Sequence, residues 1–436
     1  MVYLALLLFF VFDYMRPGSY VPGLDALHLN ALVPMVAIFG TLFGRAPVSN
    51  REFLEETNTK LLAFLLVLLA LSTLAATVTV YAFTVTKNVF AYLLIYWVLV
   101  RQVNSVARLK GVFMSLTVVH LMIAVLNPAM FTNPDARVGI NSGAFLGDGN
   151  DFALSVNICV PLCLFLFFES RRKIAKPFWI AVLLALVMAI VMTKSRGGTL
   201  ALMTIGGYYW LKSSRKVLTA TLAAVTVVLV LVAAPSSYFD RMGMMTDTEE
   251  GSAQGRILAW KASVGMALQH PFMGVGAGHF PMAYGLAKGE RWLTAHSIYF
   301  LLLGELGFPG IIFLLTILTS NLMRNRHLLQ QLRKRPRDDV ATATNLLTAT
   351  SASLVAFAVG GAFLSAAYYP HLYVLSGVMV AARRVARQAL EAREGASDET
   401  VAIDVRRHAR VIPGVLSPEW RPRPALGTSH YSGHGA

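Results

Sequence analysis

AHSIYFLLLGELGFPGIIFLLTILTS, residues 295–320, opens on a histidine and then runs apolar to its end, interrupted only by Glu305 and a set of glycines with one proline. At 1.5 Å per residue a helix of this length crosses the ~30 Å hydrocarbon layer of a bilayer. Similar runs recur along the chain. The candidate spans are 1–13, 24–43, 61–82, 84–100, 109–127, 151–168, 177–194, 197–211, 217–234, 296–320, 342–364 and 368–386, about twelve in all. The predicted fold is therefore all-α, a polytopic integral membrane protein. With 436 residues, 56% of them hydrophobic and 14% charged, one soluble core cannot hide this much apolar surface.

The net charge of +15 reads as a topology signal before anything else, and no nucleic-acid partner is expected. With the N-terminus in the cytoplasm, 28 of the 38 Lys and Arg fall in loops or the tail on the cytoplasmic side. Both termini are then cytoplasmic. The 128–150 loop, the TKSRGG turn, the segment 235–295 and the AAYYPH turn share the outer face. MVYLALLLFFVF at the N-terminus lacks a basic region and a cleavage site, so it reads as a retained first span. Residues 1–386 form the membrane domain, with 235–295 as a large external loop between spans nine and ten, and 387–436 is a basic, disordered tail. Cys159 and Cys163 lie one helical turn apart in an apolar run and read as small packing residues.

Within the external loop, Ile257, Trp260, Val264 and Ala267 or Leu268 recur at helical spacing, while Arg256, Lys261 and Gln269 lie off that stripe. This predicts an amphipathic helix on the membrane surface, ended by His270-Pro271. The glycines of GVGAG then turn the chain back toward His296.

Three side chains on the outer face carry the chemistry best. Arg196 in SRGG and Arg256 in the loop offer forked donors suited to a pyrophosphate, both to bind it and to stabilise it as it leaves. An unperturbed imidazole, with a pKa of about 6.5, suits a general base for an attacking hydroxyl, and His296 is the candidate. Glu305 lies about 14 Å further along the same span, and its reading is structural, with backbone groups freed by Gly304, Gly307, Pro309 and Gly310 as its partners. His279, Lys194, Lys261, Arg291 and His371 are outward-facing and could assist. Asp148, Asn150 and Asp151 in GDGNDFA precede a span and could cap that helix or line a sugar site, with capping favoured. The acid pairs Asp148 with Asp151 and Asp247 with Glu249 read as solvated loops, so neither a catalytic metal nor any other cofactor is expected.

SRGG at 195–198, GR at 255–256 followed by Trp260, HPFMGVGAGHF at 270–280 and AHSIYFLLLGELGFPG at 295–310 together resemble the O-antigen ligase and polymerase superfamily of bacterial inner membranes. The resemblance covers roughly 147–310. It implies an architecture similar to the GT-C-like membrane glycosyltransferases, with a periplasmic active site. The implied reaction is transfer of a glycan from undecaprenyl pyrophosphate to a sugar hydroxyl of lipid A core, giving lipopolysaccharide, with no metal and with inversion. Arg196 and Arg256 would hold the pyrophosphate and His296 would be the base. His279 departs from the expected smaller or amide residue.

Polysaccharide polymerases and protein O-glycosyl ligases share these motifs, so the acceptor stays open between them and lipid A core. A secondary transporter is the reading from another class. Transporters usually show two related halves with a long cytoplasmic link, whereas the longest loop here is external and no repeat is visible.

Overall fold

A computed structural model describes residues 1–132, 139–142, 145–236, 238–239, 251–288, 293–334 and 338–411. The helices, in chain order, are α1 (Val2–Phe10), α2 (Leu29–Phe43), α3 (Asn50–Glu55), α4 (Thr57–Ala75), α5 (Thr79–Gln102), α6 (Val106–Leu126), α7 (Ala129–Thr132) and α8 (Gly149–Phe168). They continue as α9 (Ala175–Met192), α10 (Arg196–Lys212), α11 (Lys216–Ala233), α12 (Gly251–Gln269), α13 (Phe280–Lys288), α14 (Ile298–Arg333), α15 (Asp338–Gly361) and α16 (Pro370–Val411). Among the described residues there is no strand, and the fold is all-α.

Nine helical segments among the described residues are long and apolar enough to cross a membrane. Three further helices coincide with predicted spans. α10 has 17 residues, the apolar part of α11 is Lys216–Val228, and α16 carries Arg383, Arg384 and Arg387. Burial separates the hub from the rim. α8 is buried over 78% of its span and Leu24–Phe43 over 11%, so α8 lies at the centre and α2 presents Leu32, Phe39 and Leu42 outward.

Met1–Arg387 forms one compact unit, and a second begins at Gln388. Helix α16 runs to Val411, where an irregular tail was expected from residue 387. The stretch ALEAREG is rich in strong helix formers, and no proline interrupts the chain before Pro413. Residues 412–436 lie outside the described residues.

Helix α12 leaves Ile257, Val264 and Leu268 of the predicted stripe exposed, half-buries Trp260 and buries Ala267. It also buries Ala259, Ser263 and Met266, and packs on α14. The reason is steric: Ala259, Ser263 and Ala267 recur every four residues, and small residues let two helices approach closely. One correction concerns the TKSRGG turn, which the glycines after Arg196 do not form. Gly197 and Gly198 lie inside α10, where a Cβ would stand 3.2 Å from Phe363 and 2.7 Å from Ala153. The turn's left-handed residue is Lys194, with φ 53°.

At the far end of α14, Asn321 lies about 35 Å of helix rise from Ile298. There Arg383 donates to Asn321 Oδ1 at 2.7 Å, Asn58 donates to the same oxygen at 3.0 Å, and Arg387 pairs with Glu56 at 2.9 Å. These polar groups, all buried except Arg387, tie α4, α14 and α16 together away from the site.

Candidate active site

Helix α14 is broken, and the break builds the floor of the site. Gly307 has φ 65° and ψ −158°, so the helical bonding fails around it. Phe308 N–H donates to Pro271 O at 2.9 Å rather than to Gly304, and Pro309 has no N–H to offer Glu305. The two freed carbonyls are taken by the glycine-rich loop: Val275 N–H donates to Gly304 O at 2.9 Å and Gly276 N–H to Glu305 O at 3.0 Å. Gly274 is compulsory in that loop, because its φ is +56° and a Cβ would lie 2.3 Å from Gly304 O.

Glu305 is buried and accepts three bonds. Gly278 N–H reaches it at 2.8 Å, Phe280 N–H at 3.0 Å and the Tyr368 hydroxyl at 2.9 Å. Its partners belong to the glycine-rich loop and to Tyr368, not to backbone groups freed by the break in the helix, where they were expected. His279, buried beside it, has both ring nitrogens engaged. Nδ1 bonds Ala277 O at 2.9 Å and Nε2 accepts from Val78 N–H at 3.2 Å. That pairing ties the loop to the α4–α5 connection, as does Ala277 N–H donating to Ser72 at 2.8 Å. The GVGAG turn thus leads to Gly304–Glu305, deeper than His296.

His296 sits immediately before the N-cap of α14 with φ 48°, a backbone region that side chains other than glycine, asparagine and aspartate seldom adopt. Its N–H donates to Ser365 Oγ at 2.8 Å. The preceding carbonyl, Ala295 O, accepts from Trp260 Nε1 at 3.0 Å, and the Trp260 ring stacks on Phe300 with centroids 5.0 Å apart. Arg256 lies one turn before Trp260 on α12, hence on the same face of that helix, which is anchored beside His296.

Arg196 is the first residue of α10, whose N-cap Ser195 accepts from Gly198 N–H at 3.1 Å. Gly197 abuts Phe363, two residues from the serine that holds His296. The turn at 362–369 therefore joins the start of α10 to the start of α14. Arg196, at the start of α10, and His296, just before α14, are linked through that turn, and Arg256 lies on the helix that Trp260 anchors at Ala295. Asp148 caps α8, accepting from Asn150 N–H at 2.6 Å.

The other expected residues are dispersed. Lys194 is buried in the turn before α10, and Lys261 is on the exposed face of α12. His371 is buried against the rings of Tyr14 and Phe145. Arg291, Asp247 and Glu249 lie outside the described residues. Ser365 and Tyr368 had no role from sequence; their only signal was that AAYYPH was expected on the same face as SRGG and AHS.

All-helical architecture, a broken span and an arginine–histidine end define a polytopic membrane protein with an enzyme-like site. Residues 180–315, about a third of the chain, match the family model described as O-antigen ligase. That match supports the O-antigen ligase and polymerase superfamily, whose members are glycosyl-transferring enzymes. It runs from within α9 past the break in α14 and includes Arg196, Arg256, His279, His296 and Glu305. No curated protein matches the chain.

Proposed function

We propose that this protein is an O-antigen ligase of the bacterial inner membrane, transferring a glycan from undecaprenyl pyrophosphate to a sugar hydroxyl of lipid A core on the periplasmic side. His296 takes the proton from the acceptor hydroxyl, and that oxygen attacks the anomeric carbon from the face opposite the pyrophosphate. Configuration inverts. The two guanidinium groups of Arg196 and Arg256 meet the charge of the departing pyrophosphate, so neither a metal nor a strong general acid is required. Lys194 and Lys261 add positive charge on the same side.

The observation that carries this reading is the turn at 362–369. It holds the His296 backbone through Ser365 and packs Phe363 against the residue following Arg196. A left-handed backbone at a histidine is the kind of local strain that collects at functional sites.

The test is a reconstituted transfer assay with lipid-linked glycan and lipid A core. Replacing Arg196, Arg256 or His296 singly is expected to slow transfer on the order of a hundredfold or more, as loss of a charge-stabilising donor does. Near-normal transfer by His296→Ala would refute the base assignment. Offering a second lipid-linked glycan or a protein as acceptor separates ligase from polymerase and protein-glycosylating activity.

A further inference from the structure

A cavity of about 320 Å³ opens inside the hairpin between the first two spans, lined by Phe12, Arg16, Ser19, Asp25, His28 and Asn30 among others. It has room for roughly ten waters, and so for a sugar unit. The backbone around it is unusual. Helix α1 ends in a π-turn (Val11–Met15), and Arg16 and His28 both have left-handed φ, 48° and 46°. Among the described residues only two other non-glycine positions share that conformation, Lys194 and His296, and both lie at the candidate active site. Strain of this kind persists where surrounding structure enforces it, and it gathers where ligands are held.

The hairpin is fixed to the active-site end. Tyr20 donates to Asn141 O and accepts from Asn127 Nδ2 at 2.8 Å, and Asn141 Nδ2 donates to Ser19 O at 2.9 Å. Ile140 N–H donates to Gly147 O at 3.0 Å, and a Cβ on Gly149 would lie 3.3 Å from Thr193 O, in the turn leading to Arg196. Phe145 packs edge-on against Tyr14 at 5.0 Å and reaches Tyr369 in the turn that holds His296. Arg16 lines the cavity, and the buried Asp13 carboxylate lies beside it. Arginine with an imidazole suits a phosphate or carboxylate, and Asp25, Asn30 and Ser19 offer the mixed donors and acceptors that sugar hydroxyls need.

We infer that this cavity seats an anionic sugar of the acceptor headgroup, held by Arg16, His28 and Asn30. The word acceptor rests on the transfer reading: the donor's pyrophosphate is met by arginines inside the stretch that matches the family, while the cavity is built wholly outside it. The binding itself does not depend on turnover.

The test uses the full-length protein in phosphatidylcholine nanodiscs, carrying Arg196→Ala and Arg256→Ala so that the pyrophosphate site is silent. Radiolabelled glucose 6-phosphate is titrated by equilibrium dialysis. Saturable binding at one site is expected, with glucose at least tenfold weaker, and added Arg16→Ala or Asn30→Ala lowering affinity at least tenfold. Arg16→Lys should retain part of it. Asn30→Ala keeps the test decisive if Arg16→Ala alters the size-exclusion profile. Absence of saturable binding, or binding indifferent to both substitutions, overturns the proposal. So does displacement by phosphatidylglycerol in the disc without preference for sugar phosphate over inorganic phosphate, since the site would then hold a phospholipid headgroup. Loss of transfer by His296→Ala decides the catalytic reading separately.

Discussion

Glu305 shows what one buried carboxylate does in this fold. It gathers two backbone N–H groups of the glycine-rich loop and the Tyr368 hydroxyl, so it locks the loop and the 362–369 turn onto the same helix. Removing it leaves three donors without their acceptor, and each one cut off from water costs about 1–3 kcal/mol. Glu305→Ala is therefore expected to destabilise the detergent-solubilised protein by about 3 kcal/mol or more, and Glu305→Gln by less, because one amide oxygen still accepts. An unchanged unfolding temperature for Glu305→Ala would show that the clamp carries no stability. The sequence favoured a structural role for Glu305 because Gly304, Gly307, Pro309 and Gly310 mark a broken helix around it. Its partners were illegible, since they come from residues 25 to 63 positions away and no local periodicity encodes them.

At the scale of elements, the break in α14 depends on Gly307 more than on Pro309. The Gly307 backbone is in a region open essentially to glycine, and a Cβ there would lie 2.4 Å from Pro271 O. Pro309 only withholds an N–H from a carbonyl that Gly276 already satisfies. Gly307→Ala should prevent folding or cost several kcal/mol, while Pro309→Ala should cost under about 1 kcal/mol; thermal unfolding of the two variants compares them directly. Equal losses would mean that proline sets the kink. Helix α12 is the matching lesson in packing. Its apolar stripe was read from hydrophobicity, yet its small residues decide which face meets α14, because close approach rewards small side chains where lipid and core are equally apolar. Ser263→Leu is expected to push α12 away and reduce transfer, with the exposed Val264→Leu left near wild type in the same assay.

For the whole molecule, the positive-inside rule predicts that the candidate active-site end is external. Cys159 and Cys163 are buried, so they leave a quiet background for thiol labelling. Lys261→Cys, on the exposed face of α12, should react with an impermeant maleimide in intact spheroplasts, and the exposed His327→Cys only after permeabilisation. The reverse pattern would invert the topology and remove the periplasmic site.

Membrane character and all-helical class were decided by the chain itself, because a bilayer demands long apolar helices whose backbone bonds close within the segment. The motif residues Arg196, Arg256 and His296 were visible in the same way, as charges beside glycine or at span ends. What only tertiary structure decided is their company: Ser365 and Trp260 fixing the backbone at His296, Phe363 against Gly197, Tyr368 on Glu305, and the hairpin cavity around Arg16. Such contacts join segments far apart along the polypeptide, and they arise from helix packing and the pairing of freed backbone groups, for which sequence spacing carries no signal.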